Sequence, residues 1–337
     1  MKNVLGLALY GPLAASTRYR MAQYVSGLAQ RGIRLEIRSL LGDDYLRRSF
    51  AGQRVSPWAM LHAGARRLAD LLEQRRYDGL MLHCELFPLL PGPLESFLLR
   101  KPYLYDFDDA FYLKYRSERF RALQPVLGEK FNAVLGKARA VTAGNSTLAQ
   151  YAEQHNSNVR LLPTVVDTNR YFVRPRPRGA DFVVGWVGSP STAPYLQELA
   201  APLSRLGTEG PVRLVVVGGQ APQVDNVEVE QLAWSEADEV ELIQRFDVGV
   251  MPLVDDDWAR GKCAFKLIQY MACGIPVIAS PVGANVPVVG NDAGLLASTS
   301  DEWLSALRAL RDTPEMAAGM GLTGRRRIED RYSLNTG

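Results

Sequence analysis

The chain has 337 residues, 47% hydrophobic and 22% charged, which fits a soluble globular protein with room for two substantial cores and excludes a fibrous or disordered class. Net charge is +3, distributed unevenly: residues 1–172 carry 24 Lys and Arg against 15 Asp and Glu, and the remainder carries 15 against 21. The basic half is expected to meet something acidic, such as an anionic membrane surface or a phosphate-bearing acceptor, and nothing points to nucleic acid.

The opening run Val4–Tyr10 reads as a first buried strand, too short and too soon interrupted for a signal peptide. Thr17–Arg31 has helical periodicity closed by Gly32, and Arg34–Ser39 alternates as a strand does. Ala65–Arg76 reads as an amphipathic helix and Gly79–His83 as a strand; Tyr103–Asp106 is the next strand. Phe131–Lys137 is helical, Ala140–Ala143 a strand, Ser146–His155 a helix capped by Ser146, and Val159–Leu162 a strand. Strands separated by helices imply a parallel sheet wound with helices. The run Arg174-Pro175-Arg176-Pro177-Arg178-Gly179 reads as a linker. A second series follows: strand Phe182–Val187, helix Ala193–Leu206, strand Val212–Val217, helix Glu236–Arg245, strand Val248–Met251, and late helices at Trp303–Leu310 and Pro314–Arg327. The fold class is α/β, with two Rossmann-like domains, 1–172 and 173–337, facing a cleft into which strand ends deliver ligand-binding loops. No run reaches transmembrane length, and three cysteines without metal spacing suit a reducing cytoplasm.

The most informative segment is Gly261–Ser280. Phe265, Ile268, Met271 and Ala272 recur at helical spacing, Cys273-Gly274 closes the helix, Pro276 bars its continuation, and Val277-Ile278-Ala279 is β-prone. Lys262 and Lys266 lie one turn apart where the helix begins, so two cations reinforce the helix dipole at an anion-favouring end.

Tyr270-Met271-Ala272-Cys273-Gly274-Ile275-Pro276-Val277 resembles the Ala-Met-Ala-x-Gly-x-Pro-Val signature of retaining GT-B glycosyltransferases, family 4 (glycosyl transferases group 1). That signature carries two glutamates eight positions apart; here Gly261 and Gln269 stand at those places. The chain resembles the branch with Lys-Leu-Ile-Gln-Tyr-Met-Ala. The resemblance implies the GT-B fold and a donor site in the second half. Gly188, Ser189, Ser191 and Thr192 would cradle a diphosphate, Gly218 would lie beside the nucleotide, and Trp234 would stack on the base. Arg260, Lys262 and Lys266 would face the diphosphate, with Gln269 accepting from the ribose hydroxyls. Asp255-Asp256-Asp257 suggest a hard cation, but consecutive loop residues do not converge on one ion and Arg260 offers them an ion pair.

In the first half, Asp106-Phe107-Asp108 is a literal DxD, which holds a divalent metal in the other major transferase fold. Two Rossmann-like halves favour the GT-B reading, in which Asp106 ends a strand and Asp108 and Asp109 position the acceptor hydroxyl. Arg18, Arg20, His83 and Glu85 are expected on the acceptor side. The resemblance implies transfer from a UDP- or GDP-sugar to a glycan, lipid-linked or protein hydroxyl with retention. It implies no divalent metal and no cofactor; Lys262 and Lys266 would stabilise the leaving diphosphate. A GT-B-fold epimerase and a non-catalytic binding protein remain as alternatives. The final Arg331–Gly337 leaves the customary crossing helix short or absent.

Overall fold

The computed structural model describes residues 1–174, 179 and 181–336, which divide into two compact units, Met1–Thr164 and Val165–Gly337. The division falls at Thr164/Val165, ahead of the expected 172/173, because Val165–Tyr171 packs into the second unit. Val166 pairs with Ser333, and the Tyr171 hydroxyl bonds Glu239. Most of the expected linker, Pro175–Arg178, lies outside the described residues.

The first unit holds a parallel sheet of β1 (Lys2–Tyr10), β2 (Ile33–Leu41), β3 (Gly79–His83), β4 (Tyr103–Phe107), β5 (Ala140–Ala143) and β6 (Val159–Leu161), in spatial order β2-β1-β3-β4-β5-β6. The second unit repeats the plan with β7 (Phe182–Val187), β8 (Val212–Val217), β9 (Glu228–Leu232), β10 (Val248–Met251), β11 (Val277–Ala279) and β12 (Gly294–Leu296), in order β12-β11-β10-β7-β8-β9. Parallel strands are covered on both faces, which is why Leu214, Val215, Val216 and Val217 are all fully buried. Trp186, Val250 and Ile278 share one core with Trp303, Leu307 and Leu310 of the helix Ser300–Asp312.

In each sheet the winding direction reverses once, between β1 and β3 and between β7 and β10. At such a switch point the flanking loops leave in opposite directions and open a crevice at the carboxyl ends of the strands. The loops that matter therefore follow β1, β3, β7 and β10.

The expected elements hold with local differences: the helix expected at Ala65–Arg76 runs from Pro57 to Glu73, and the helices Asp43–Phe50 and Gly92–Leu98 and the strand β12 lie where none was expected. The segment Thr17–Arg31 is broken into Ala15–Arg20, a 3-10 turn at Ala22–Tyr24, and Val25–Gln30. The cap at Ser146–Glu153 is Asn145, whose side chain accepts from the Leu148 N–H at 2.9 Å. The helix expected from Ala193 runs as a 3-10 helix to Leu199 and becomes α-helical only at Ala200–Gly207. The edge strand β9, Glu-Val-Glu-Gln-Leu, is too polar to stand out as a strand by composition.

Candidate functional site

The second unit assembles its crevice from β7 outward. Strand β7 ends at Val187, whose N–H donates to the buried Tyr270 hydroxyl at 2.8 Å, and Tyr270 thereby clamps the helix Phe265–Ala272 under the strand end. Gly188 follows. A Cβ there would lie 2.3 Å from the Trp186 ring and 2.9 Å from Lys266 Cε, so only glycine lets the lysine stem pass this close. Lys266 Nζ then lies 5.3 Å from the Trp186 ring centroid, over its face. Gly218, at the end of β8, has a φ of 79°, and a Cβ on it would meet the Gly188 carbonyl at 2.4 Å and Trp234 Cβ at 3.0 Å. The structure thus brings Gly188, Gly218, Trp234 and Lys266 together.

The hydroxyls expected to cradle a diphosphate are used within their own turn. Ser189 and Ser191 lie 2.9 Å apart through their Oγ atoms, and the Thr192 hydroxyl donates to the Ser189 carbonyl. A 3-10 helix follows this turn, so the stronger helix N-terminus nearby belongs to Phe265–Ala272. That helix is entered through Ala264, a non-glycine residue with φ of 54° in the left-handed region. Such a backbone costs about 1–2 kcal/mol, held here by burial, and turns the chain so that Lys266 sits in the first turn.

Gln269 departs from its expected role. It is buried, and its amide donates to the Tyr171 hydroxyl at 2.8 Å; Tyr171 donates to Glu239 Oε2 at 2.5 Å, and Trp234 Nε1 donates to Glu239 Oε1 at 2.8 Å. The amide side chain is a donor in an internal chain rather than an acceptor presented to ribose, and Trp234 is fixed at its indole N–H. Arg260 is exposed and pairs with Asp255 at 2.8 Å and Asp257 at 3.4 Å, while Asp256 caps Asp257–Arg260 through the Ala259 N–H. Lys262 Nζ lies 5.8 Å from the Trp258 ring centroid.

In the first unit Asp106 is the hub. Its carboxylate is fully buried and accepts from Arg20 (2.6 and 3.1 Å), from the Thr142 hydroxyl (2.6 Å), and lies 2.8 Å from His83 Nδ1. Burial alone would raise its pKa, but the Arg20 guanidinium and the hydrogen bonds hold it well below the usual carboxylate range. Arg20 also donates to the Leu162 carbonyl. Arg20 and Asp106, expected to face an acceptor, are instead committed to one another, because a buried charge is tolerated only when paired.

Arg18 likewise turns inward, donating at 2.8 Å to the Pro12 and Leu13 carbonyls and shaping the loop after β1. Glu85 is a core ion pair: its carboxylate meets Lys130 at 2.8 Å, the Tyr115 hydroxyl at 2.8 Å, and Lys114. His83 keeps its expected place at the end of β3. Its Nε2 is buried without a hydrogen-bond partner and lies 3.8 Å from Asp108 Oδ1. Asp108 and Asp109 are half-buried just beyond β4. Among the described residues, His83, Cys84 and Asp108 form the group able to hold a cation, with ligand atoms within 4.8 Å of one another.

Residues 181–312, from β7 to the end of the helix Ser300–Asp312, match the family described as Glycosyl transferases group 1. Over this segment the chain is similar to the group 1 glycosyltransferases. The crevice of Gly188, Gly218 and Lys266 therefore lies inside the matched segment.

The whole chain has the GT-B fold. It is similar over 100% of its length to 97% of Anabaena Alr3699/HepE, solved in complex with UDP and glucose, at 16% identity and a TM-score of 0.71. It is similar over 99% of its length to 96% of sucrose-phosphate synthase from Thermosynechococcus elongatus, at 15% identity and 0.72. WaaG, a glycosyltransferase involved in lipopolysaccharide biosynthesis, matches 98% of the chain over 97% of its own, at 15% identity and 0.66. No curated protein matches the chain. Among the described residues, no helix is long and apolar enough to cross a membrane.

Several residues that build the two units escape sequence reading. Tyr171, Glu239 and Tyr270 order the second unit, and Thr142 and Lys130 order the first, yet each lies far along the chain from its partner. A lone Tyr or Glu at a strand or helix end carries no pattern. Tyr270 carries a signal, its place inside the 270–277 signature.

Proposed function

We propose that the chain transfers a sugar from a UDP- or GDP-sugar to a hydroxyl of a glycan, lipid-linked or protein acceptor, with retention at the anomeric carbon. The observation that carries this reading is the lysine stem of Lys266 threaded past Gly188 at the carboxyl end of β7, inside the segment that matches the group 1 family. A cation in the first turn of a helix, beside a glycine that admits close backbone approach, suits a leaving diphosphate. Complexes of Alr3699/HepE with UDP and with UDP-glucose support a nucleotide-sugar donor. The lipopolysaccharide enzyme WaaG supports a place in bacterial surface-glycan synthesis at the inner face of the cell membrane, where the basic first unit suits an anionic surface.

In this mechanism the donor β-phosphate accepts the acceptor's proton while the glycosidic bond opens through an oxocarbenium-like state. Lys266 and Lys262 offset the charge that develops on the diphosphate, and Asp108 and Asp109 orient the acceptor hydroxyl. The step requires no divalent metal and no cofactor.

The test is a thermal-stability titration with UDP, GDP, dTDP and ADP, first in EDTA and then with Mn²⁺. A ligand that binds only the folded state raises the melting temperature. A rise with UDP or GDP in EDTA supports the reading and names the donor class. A rise only with Mn²⁺ would shift the diphosphate to a metal-dependent site, with the His83, Cys84 and Asp108 group as the place to look. No rise with any nucleotide would favour a non-catalytic role, and donor consumption without an acceptor would favour an epimerase.

A further inference from the structure

The helix Pro57–Glu73 has two faces of opposite purpose. One seats it on the first sheet: Ala63, Arg67 and Leu71 are buried, and Arg67 Nη2 donates to the Ala8 carbonyl at 2.6 Å and the Arg38 carbonyl at 3.2 Å. The other carries Trp58, Leu61, Ala65, Leu68 and Leu72, spaced three, four, three and four residues apart, which places them in one stripe along the helix. Its large members are among the most exposed apolar side chains of the molecule: Trp58 at 79%, Leu61 at 64%, Leu68 at 51% and Leu72 at 74%. A helix held by its opposite face has no need of such a stripe for folding, and contiguous exposed apolar surface marks an interaction site.

The charges around the stripe identify what covers it. Gln74, just past the helix, donates to the Leu98 carbonyl at 3.0 Å and accepts from the Arg100 N–H at 2.8 Å, so the end of Gly92–Leu98 lies beside it with Phe97 64% exposed. This end of the unit carries the exposed Arg75, Arg76 and Arg100 and the half-buried Lys101 against the exposed Asp78, with Arg76 3.8 Å from Glu73, so cations outnumber acids there. The acidic side chains of the helix, Asp70 and Glu73, are taken up by Arg38 at 3.0 and 2.8 Å. What remains is an apolar stripe with a cationic end and a tryptophan at its start. An antiparallel two-fold pairing of this face with a second copy would set each cationic end against the partner's helix start, with the acids of the helix already held by Arg38. An anionic bilayer instead satisfies both features, with apolar side chains in the acyl boundary and guanidinium groups at the headgroups.

We infer that Pro57–Glu73 docks the first unit in the plane of an anionic membrane, inserting Trp58, Leu61, Leu68 and Leu72. This deepens the proposed lipid-linked acceptor and rests on that reading for its purpose. The helix would hold the first unit at the surface where such an acceptor is embedded.

The test is co-sedimentation of the full-length protein with vesicles of phosphatidylcholine alone and of phosphatidylcholine mixed equally with phosphatidylglycerol. The expected result is binding to the anionic vesicles, weakened at high salt and lowered about tenfold or more by Leu68→Glu with Leu72→Glu, whose side chains touch solvent and leave the fold intact. The same double variant should keep its nucleotide-induced thermal shift, so that loss of docking and loss of the donor site read out separately. Absence of binding to anionic vesicles, or binding that the double variant leaves unchanged, would overturn the inference. A dimer in the wild type that becomes monomeric in the variant would also overturn it, by giving the face to a second copy.

Discussion

Lys266 Cε lies within 2.9 Å of where a Cβ on Gly188 would be, so the cation and the strand-end turn occupy one space and only a glycine allows both. The pairing brings a helix start and a glycine turn separated by some eighty residues of sequence to one place.

Lys266→Ala should lower kcat/KM by about 100-fold or more, the scale for losing one charge-stabilising group, with a melting temperature close to wild type because the side chain is half-buried and its ring contact is worth about 0.5–1 kcal/mol. Gly188→Ala should lower both stability and nucleotide affinity, since its Cβ meets the Trp186 ring at 2.3 Å. Steady-state kinetics beside thermal melts check both, and an unchanged rate for Lys266→Ala would remove it from the chemistry.

Restoring the family's acid by Gln269→Glu should not improve the enzyme. The Tyr171 hydroxyl has one proton and gives it to Glu239, so a glutamate at 269 would lose the donated hydrogen bond and bury a second carboxylate in the same chain. The expected cost is about 1–3 kcal/mol in a urea melt at neutral pH. A gain in activity without loss of stability would show that the chain rearranges to present the acid to a ligand.

Asp106→Asn should destabilise the first unit by about 3–5 kcal/mol, because it leaves the fully enclosed Arg20 guanidinium without its counter-charge. Pairing it with Arg20→Met should recover part of the loss. A double-mutant cycle on urea unfolding measures this, and a cycle with no coupling would mean the two groups are stabilised separately.

Glu95 sets a pH dependence of opposite sign to ordinary acid unfolding. Burial pushes its pKa up to about 7, only partly countered by Lys130 at 3.0 Å and the Phe87 N–H, and its Oε2 is unpartnered. The folded state therefore holds a proton that the unfolded chain releases, so the stability this group contributes is complete below about 4.5 and is lost as pH rises through about 7. The shift corresponds to roughly 3 kcal/mol. Glu95→Gln should flatten that decline between pH 5 and 8 in melts across pH. Glu85, drawn down by Lys130 and Lys114 despite its burial, and Asp106 lose their contribution at the acid end instead.

The sequence by itself determined the architecture. β3, β5, β7, β8 and β10 are legible because buried parallel strands must be apolar on both faces, and the helix Phe265–Ala272 because its period, its Gly274 terminator and Pro276 are local signals. It also marked Lys266, whose place in the first turn follows from spacing alone. Only the tertiary structure decided which polar residues serve the core. Arg18, Arg20, Asp106, Glu85 and Gln269 look like site residues in one dimension, and each is spent on an internal partner. The reason is physical: a charge or amide carried inward by a buried strand or helix must be neutralised or hydrogen-bonded there, and the partner arrives from a distant segment that no local pattern announces.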